Sequence, residues 1–398
     1  MSGTSMDGVD VAVVKVGRGR GGRLRAKVLS QLSCPYPRRL RKRLAEAVAE
    51  APLAAIDWAS LSADVARAFA VAAGRGLAAA GLHPGHCDAV ASHGQTIAHR
   101  PGRPTLSLQI GEPAIIAEQT ATTVVSDFRA ADLAAGGQGA PLAPYAHAWM
   151  FAGRRRCGVV NLGGMGNLSL LDPTGGGVVV AGSDSGPGNV LIDAAMQIVS
   201  VGRRKIDRGG RYARGGQVDE ALVARVLDQP FFRRRLPTST GREEFSPRLA
   251  ASLVAWARRR GLDDRSIVAS LTMATARSVA RACRLLGGHR LEELLVCGGG
   301  ALNATLMAML AEQLPGLKVA STATAGFDPR FVEAVAFALF GYLCLEASAA
   351  NVPAVTGAAG PRVLGKISPG PNYGGSALRP RRGRGGAGRG RALRPSRG

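Results

Sequence analysis

The run Gly182-Ser183-Asp184-Ser185-Gly186-Pro187-Gly188-Asn189 places a carboxylate between an apolar segment, 178–181, and a helical one, 190–201. That is the spacing of a strand-to-helix junction. An acid beside a helix N-terminus has its charged form stabilised, so Asp184 is expected to be ionised at neutral pH and able to accept a proton. Alternatively, Asp184 or Ser185 simply caps the helix. Gly186, Gly188 and Asn189 around a proline offer more backbone freedom than a cap requires, which favours the base.

Three small-residue turns accompany it. Gly3-Thr4-Ser5-Met6-Asp7-Gly8-Val9-Asp10 runs into an apolar strand pattern, and Asn161-Leu162-Gly163-Gly164-Met165-Gly166-Asn167 interrupts another. Two such turns in two α/β halves are what a nucleotide in a central cleft needs, because backbone N–H groups reach phosphate oxygens only past small side chains. Taken singly, each also reads as a tight hairpin. The third turn, Cys297-Gly298-Gly299-Gly300-Ala301-Leu302-Asn303, ends a strand, opens a helix and has room to lie under a purine or ribose.

The most polar stretches are Ser92-His93-Gly94-Gln95-Thr96 with His99 and Arg100, then 108–113, then Ser126-Asp127-Phe128-Arg129 through Asp132. Read as loops after strands, they suit the hydroxyl, amide and carboxylate groups of a sugar-like ligand. His93 and His99, each alone, read as hydrogen-bonded structural histidines. Glu333 lies in an otherwise apolar helix and wants a partner, either a ligand hydroxyl or an arginine; from the residues alone the ion pair is favoured.

Elements that would position these residues alternate along the chain. Strands are expected over 9–16, 89–92, 122–125, 158–162, 167–171, 178–181 and 294–297. Helices are expected over 39–49, 60–80, 190–201, 219–227, 247–259, 266–285, 302–313 and 331–347. The pattern is that of an α/β fold. With 398 residues and 46% hydrophobic composition the chain can bury two domains, which excludes disorder as its main state.

The net charge of +23 invites a polyanion partner, but eight arginines crowd a Gly/Arg/Pro tail, 371–398, expected to be disordered. Lysine supplies few of the basic residues, so basicity is weak support, and nucleic acid is not the expected partner. Six cysteines without a CxxC pair argue against zinc and disulfides and for a reducing, cytoplasmic setting. No apolar run is long enough to span a membrane, and the first residues lack signal-peptide character, so no membrane partner is expected.

Together these blocks resemble the anhydro-N-acetylmuramic acid kinases of bacterial cell-wall recycling. The resemblance rests on the residues from Met1 to Asp10, Ser92-His93-Gly94-Gln95-Thr96, Leu108-Gln109-Ile110-Gly111-Glu112-Pro113, and Asp127-Phe128-Arg129 with 134–142. It continues through Asn161-Leu162-Gly163-Gly164, Asp184 to Asn189, Ser239-Thr240-Gly241-Arg242-Glu243, Cys297-Gly298-Gly299-Gly300 and 364–370. It implies a two-lobed actin-like (ribonuclease H-like) sugar kinase fold with ATP in the central cleft, one lobe formed by 1–126 plus 341–370 and the other by 127–340. The implied reaction opens the 1,6-anhydro ring of the amino sugar with water while O6 is phosphorylated, giving N-acetylmuramic acid 6-phosphate.

By the same resemblance, Gly3, Thr4, Ser5, Met6, Asp7, Gly8, Val9 and Asp10 form the first phosphate loop and Gly163 and Gly164 belong to the second. Gly186 lies on the nucleotide, and Gly298, Gly299, Gly300 and Asn303 lie on its adenosine side. Asp184 falls at the family's catalytic base. Gln95, Arg129, Asp132 and Glu333 are expected to hold the sugar, Mg²⁺ is expected near Asp7 or Asp10, and a homodimer is implied. The sequence departs from the family pattern in three places. The family has an apolar strand ahead of the first phosphate loop, whereas this sequence starts inside the motif. A first lobe short of one strand is therefore expected, with a catalytically impaired nucleotide-binding protein as the alternative. Ala131 stands where Arg is usual and Thr238 where Lys is common, which bears on sugar affinity more than on identity.

Overall fold

The computed structural model describes residues 1–3, 6–19, 24–48, 53–83, 85–100, 105–151, 155–172, 178–241, 243–287 and 291–374. The chain begins with an antiparallel pair, β1 (Gly8–Arg18) and β2 (Leu24–Pro35). In α1 (Arg38–Val48), Leu40, Leu44 and Ala47 recur at helical spacing and turn inward, leaving its basic residues outside. Leu61, Val65 and Phe69 do the same for α2 (Ala55–Ala79), and both helices share a core with Val9, Ile116 and Val124.

Next come β3 (Val90–Ser92), the hairpin β4 (Gln95–Arg100) and β5 (Leu106–Ile110), α3 (Pro113–Thr120), β6 (Val124–Ser126), α4 (Ala130–Ala134) and α5 (Ala143–Phe151). Polar residues 95–100 and 108–110 thus lie in a two-stranded ladder and not in loops as their composition implied. A solvated hairpin tolerates alternating polar side chains that a core strand would not.

The second half holds a five-stranded sheet. Its strands are β7 (Cys157–Leu162), β8 (Met165–Asp172) and β9 (Val178–Pro187), followed after α6 (Val190–Val199), α7 (Glu220–Leu227), α8 (Pro247–Arg259) and α9 (Asp264–Leu285) by β10 (Glu293–Cys297), then α10 (Ala304–Gln313) and β11 (Lys318–Ser321). The spatial order is β11-β10-β7-β8-β9, with β7, β8 and β9 an antiparallel meander and β7, β10 and β11 parallel. That is the strand order of a ribonuclease H-like lobe. Central strand β7 is apolar at nearly every position because both its faces are covered. Helix α9 is buried around most of its circumference, and its Ser270 and Thr272 hydroxyls donate to the carbonyls of Ser266 and Val268, which satisfies them without water.

Three elements close the chain: α11 (Val332–Leu345), α12 (Pro353–Thr356) and β12 (Lys366–Ser368). β12 returns to the first half, antiparallel to β6, while β3 runs parallel to β6 on the other side. The fold is α/β, with the ribonuclease H-like sheet in its second half. In the first half the β1–β2 pair and the β3–β6–β12 sheet are separate, and α11 packs against β1, β3 and β6. On the edge of β1 away from β2, Met1 and Asp10 exchange two backbone hydrogen bonds of 2.8 Å each.

Segment 371–398, expected to be a tail, contributes at least Asn372 to the folded body. Its Oδ1 accepts from the Thr123 N–H and hydroxyl at 2.7 Å, and its Nδ2 donates to the carbonyls of Cys87 and Asp88. Residues 375–398 lie outside the described residues. All six cysteines are free, five of them buried. Among the described residues no helix is long and apolar enough to cross a membrane.

Candidate active site

Asp184 sits on β9, three residues before that strand ends, and not at the helix N-terminus its spacing suggested. Asn189 is the N-cap of α6, without a side-chain cap bond, so neither Asp184 nor Ser185 caps it. The β8–β9 register pairs Gly166 with Gly186 and then Asn167 with Asp184, leaving Ser185 as the extra residue of a bulge. A bulge re-aims the neighbouring side chain. Here it is accommodated by Gly166, where a Cβ would come within 2.3 Å of the Ser185 Oγ.

The Asp184 carboxylate is held from two sides. Asn167 Nδ2 donates to Oδ1 and the Thr240 N–H donates to Oδ2, each at 2.8 Å. The 238–240 segment is fastened to β9 by further bonds, the Asp184 N–H to the Thr238 carbonyl and the Thr238 N–H to the Ser183 hydroxyl. Part of the Asp184 residue remains accessible while protein encloses its carboxyl group. Burial, reinforced by the charge of Glu243, pushes that carboxyl up to about 6 against the pull of the two donors. It is still mostly ionised at neutral pH, though because of its donors and not a helix dipole.

The turn between β7 and β8 is locked to the turn after β9. The Gly188 and Val190 N–H groups donate to the Gly164 carbonyl, and those of Asn189 to the Gly163 carbonyl. The Asn189 side chain adds a bond to the Leu162 carbonyl at 2.8 Å. At Gly188 a Cβ would lie 2.4 Å from the Gly163 carbonyl oxygen, so the protein's own packing demands glycine there. Gly298 is likewise required: it has φ +78°, and a Cβ would meet Asn161 Oδ1 at 2.4 Å. Gly8 and Gly300 are fixed by Cys34 and Leu162 in the same manner, and Gly186 by φ +122° against Phe232.

Gly3, Gly163 and Gly299 differ. Among the described residues a Cβ would meet nothing within 4 Å at Gly3, and its nearest neighbours would be at 3.8 Å and 3.7 Å at Gly163 and Gly299. None of the three needs a positive φ. One such glycine lies in each of the three turns, where neither packing nor backbone conformation uses the missing side chain. Each leaves a clear approach to the main chain, which is what a phosphate or ribose needs. Asn303 is occupied otherwise, its Oδ1 capping α10 through the Leu306 N–H at 2.9 Å. Thr4, Ser5 and Arg242 lie outside the described residues.

In the first turn Met6 has φ 52°, Val9 is buried in the core shared by α1 and α2, and Asp10 accepts from the Ser33 hydroxyl. Burial raises the Asp10 carboxyl and lowers the Met1 amino group to about 6. Asp7 influences Asp10 electrostatically. Among the described residues no group of three His, Cys, Asp or Glu side chains forms a ready-made metal cage. Two carboxylates three residues apart, Asp7 and Asp10, nevertheless suit Mg²⁺, which takes one or two carboxylates and completes its shell with water and phosphate oxygens.

Glu333 lies on α11 and reaches β7. It accepts from Asn161 Nδ2 at 3.0 Å, and burial raises its carboxyl while the charges of Arg129, Asp10 and the Met1 amino group act on it. Arg129 donates to the Gly139 carbonyl at 2.7 Å and approaches His93 Nε2 at 2.9 Å. Gln138, next to Gly139, accepts from the Ser239 hydroxyl, which brings this cluster to the segment that holds Asp184.

Gln95 is fully buried beneath the first loop, its Oε1 2.7 Å from the Ser2 hydroxyl and its Nε2 donating to the Gly3 carbonyl. Asp132 is also fully buried, with the Gly139 N–H on one oxygen and Asn351 and Thr356 on the other. Sequence reasoning passed over Asn161, Asn167 and Thr240 as individual contacts. For the two asparagines the usable signal was an amide on each side of the turn between β7 and β8, within largely buried strands.

A family model described as anhydro-N-acetylmuramic acid kinase matches residues 1–370. The anhydro-N-acetylmuramic acid kinase of Pseudomonas fluorescens (strain Pf0-1) is 42% identical over 378 residues, covering 93% of this chain and 98% of the relative. That of Xanthomonas oryzae pv. oryzae (strain MAFF 311018) is 43% identical over 373 residues, covering 93% and 96%. Among solved structures, the activator of the 2-hydroxyisocaproyl-CoA dehydratase from Clostridium difficile with bound ADPNP aligns with TM-score 0.35 at 15% identity, over 55% of this chain and 66% of that one.

Proposed function

The chain belongs to the anhydro-N-acetylmuramic acid kinase family, and on that footing we propose that it opens 1,6-anhydro-N-acetylmuramic acid with water and phosphorylates the released O6 at the expense of ATP. Asp184 is the base: it takes a proton from water as the water oxygen attacks the anomeric carbon. The bond from that carbon to O6 breaks, O6 takes the γ-phosphoryl group, ADP leaves, and the proton on Asp184 passes to solvent. ATP supplies the phosphoryl group, and Asp7 and Asp10 would hold a Mg²⁺ ion that would offset the phosphate charge.

The main chain at Gly3, Gly163 and Gly299 receives the nucleotide, while Gly8, Gly186, Gly188, Gly298 and Gly300 set the turns that bring it there. Arg129 and Glu333 hold the sugar. Gln95 and Asp132 support that site from beneath, through the first loop and through Gly139. The observation that carries this reading is the run of contacts from Asp184 through Thr240, Ser239 and Gln138 to Gly139 and Arg129, which joins the base to the sugar cluster. Cytoplasmic action and a homodimer accompany it, and light scattering at about twice 41.0 kDa checks the latter.

ADP release from folded protein supplied with 1,6-anhydro-N-acetylmuramic acid, ATP and Mg²⁺ tests the proposal. Sugar-dependent ADP formation with one N-acetylmuramic acid 6-phosphate per ADP is expected. Folded protein that releases no ADP above the sugar-free control refutes it.

A further inference from the structure

We propose that His93 is a positioning residue: as a neutral imidazole protonated on Nδ1, it accepts a hydrogen bond from Arg129 through Nε2 and so sets the guanidinium in the sugar site. The role rests on the kinase reading above, while the tautomer does not. His93 Nε2 lies 2.9 Å from an Arg129 terminal nitrogen, and Nδ1 lies 3.1 Å from the Gly94 carbonyl oxygen. A guanidinium only donates and a carbonyl only accepts, so Nε2 must be bare and Nδ1 must carry the proton. Each ring nitrogen is assigned by a partner of fixed character, which leaves one tautomer.

The ring has little freedom to leave. His93 is 4% exposed and packs against Phe337 with centroids 4.7 Å apart. Burial and the adjacent Arg129 charge both disfavour the imidazolium, holding the group well below the usual histidine range.

Arg129 is held by neutral acceptors, His93 and the Gly139 carbonyl, while its Nε is buried without a hydrogen-bond partner. Glu333 acts on it electrostatically, yet no ion pair between them occurs within 4.0 Å among the described residues. Neutral support fixes the direction of the guanidinium without neutralising it, whereas a carboxylate at position 93 would do both. The charge then remains available to an anionic group of the sugar, such as its carboxylate.

Two measurements test this on the full chain. Nitrogen-15 NMR of imidazole-labelled protein between about pH 6 and 8 should show His93 with a protonated Nδ1 and a bare Nε2; a proton on Nε2 overturns the proposal without bearing on the kinase reading. In kinetics, His93→Leu should raise KM for the anhydro sugar about tenfold or more, with KM for ATP within about twofold. His93→Gln, whose side-chain oxygen can accept from Arg129, should recover most of that loss. Equal loss for both substrates, an unchanged sugar KM, or no recovery by His93→Gln contradicts it. Wild-type protein that turns over no anhydro sugar would refute the kinase reading and with it the positioning role, whatever the tautomer.

Discussion

Asn167 and Asp184 face one another across the β8–β9 register, with the Asn167 amide nitrogen 2.8 Å from Asp184 Oδ1. The Thr240 N–H holds the other oxygen at the same distance. In the role of base proposed for Asp184, being held at both oxygens fixes one orientation of the carboxylate, which is part of what a preorganised site contributes. Asn167 Oδ1 is itself buried and without a hydrogen-bond partner, so the amide can turn over if position 184 becomes a donor.

The pH dependence of turnover follows from the enclosure of Asp184. Its carboxyl, ordinarily near 3.8, is raised to about 6, and only the ionised form accepts a proton. kcat/KM should therefore climb about tenfold per pH unit from pH 4 to 6 and level off above that. A rate profile flat between pH 5 and 7 would contradict this. For stability the sign is opposite: a carboxyl raised on folding favours the fold below about pH 4, and that contribution is lost as pH rises through about 6.

Removing the amide at position 167 should move that profile. Asn167→Leu deletes a donor to the charged form, so the acid limb should shift upward by about one pH unit, and turnover should drop about tenfold at pH 5 but only about twofold at pH 7. Rate measurements from pH 5 to 9 check it. A limb that stays in place would mean the hydrogen bond does not tune the base.

Glycines of the site should separate into two kinds. At Gly299→Val the added Cβ would have its nearest neighbour, Asn189 Nδ2, at 3.7 Å, so the thermal midpoint should stay within about 2 °C of the parent while KM for ATP rises about tenfold. Gly298→Val places a Cβ against Asn161 at a positive φ and should lower the midpoint by about 5 °C or more. Differential scanning calorimetry with ATP titration distinguishes them, and equal destabilisation of both variants would contradict the division.

Asp132 should behave as a support. Three donors converge on its buried carboxylate, and Asp132→Ala strands them. A loss of about 3 kcal/mol in urea unfolding is expected. Unchanged stability with a defect confined to sugar KM would instead place Asp132 on the ligand.

Much of this was legible in the sequence, for identifiable reasons. The apolar runs of β7 and β10 and the long periodic patterns of α2 and α9 fixed their own type, because burial on both faces or along one face leaves few alternatives. β2 was missed because its strand alternates Arg, Lys and Ser with apolar residues on a half-exposed pair, and β4–β5 because a solvated hairpin looks like loop. In the site, Asp184 and the three glycine turns stood out by residue type. Its donors did not, since Asn167 and Thr240 meet it through a bulge and a distant segment, and spacing along the chain carries neither. The glycines that packing requires and those that it does not look alike until their neighbours are known.

Asp184→Asn puts the assignment of the base to the most direct test. Flipping the Asn167 amide lets the new side chain donate to it while still accepting from Thr240, so the variant should fold with an intact thermal midpoint. Formation of N-acetylmuramic acid 6-phosphate by this variant, followed by mass spectrometry beside ADP release, should fall by at least about a thousandfold, with ATP binding retained. Turnover within about tenfold of the parent would show that another group activates the water.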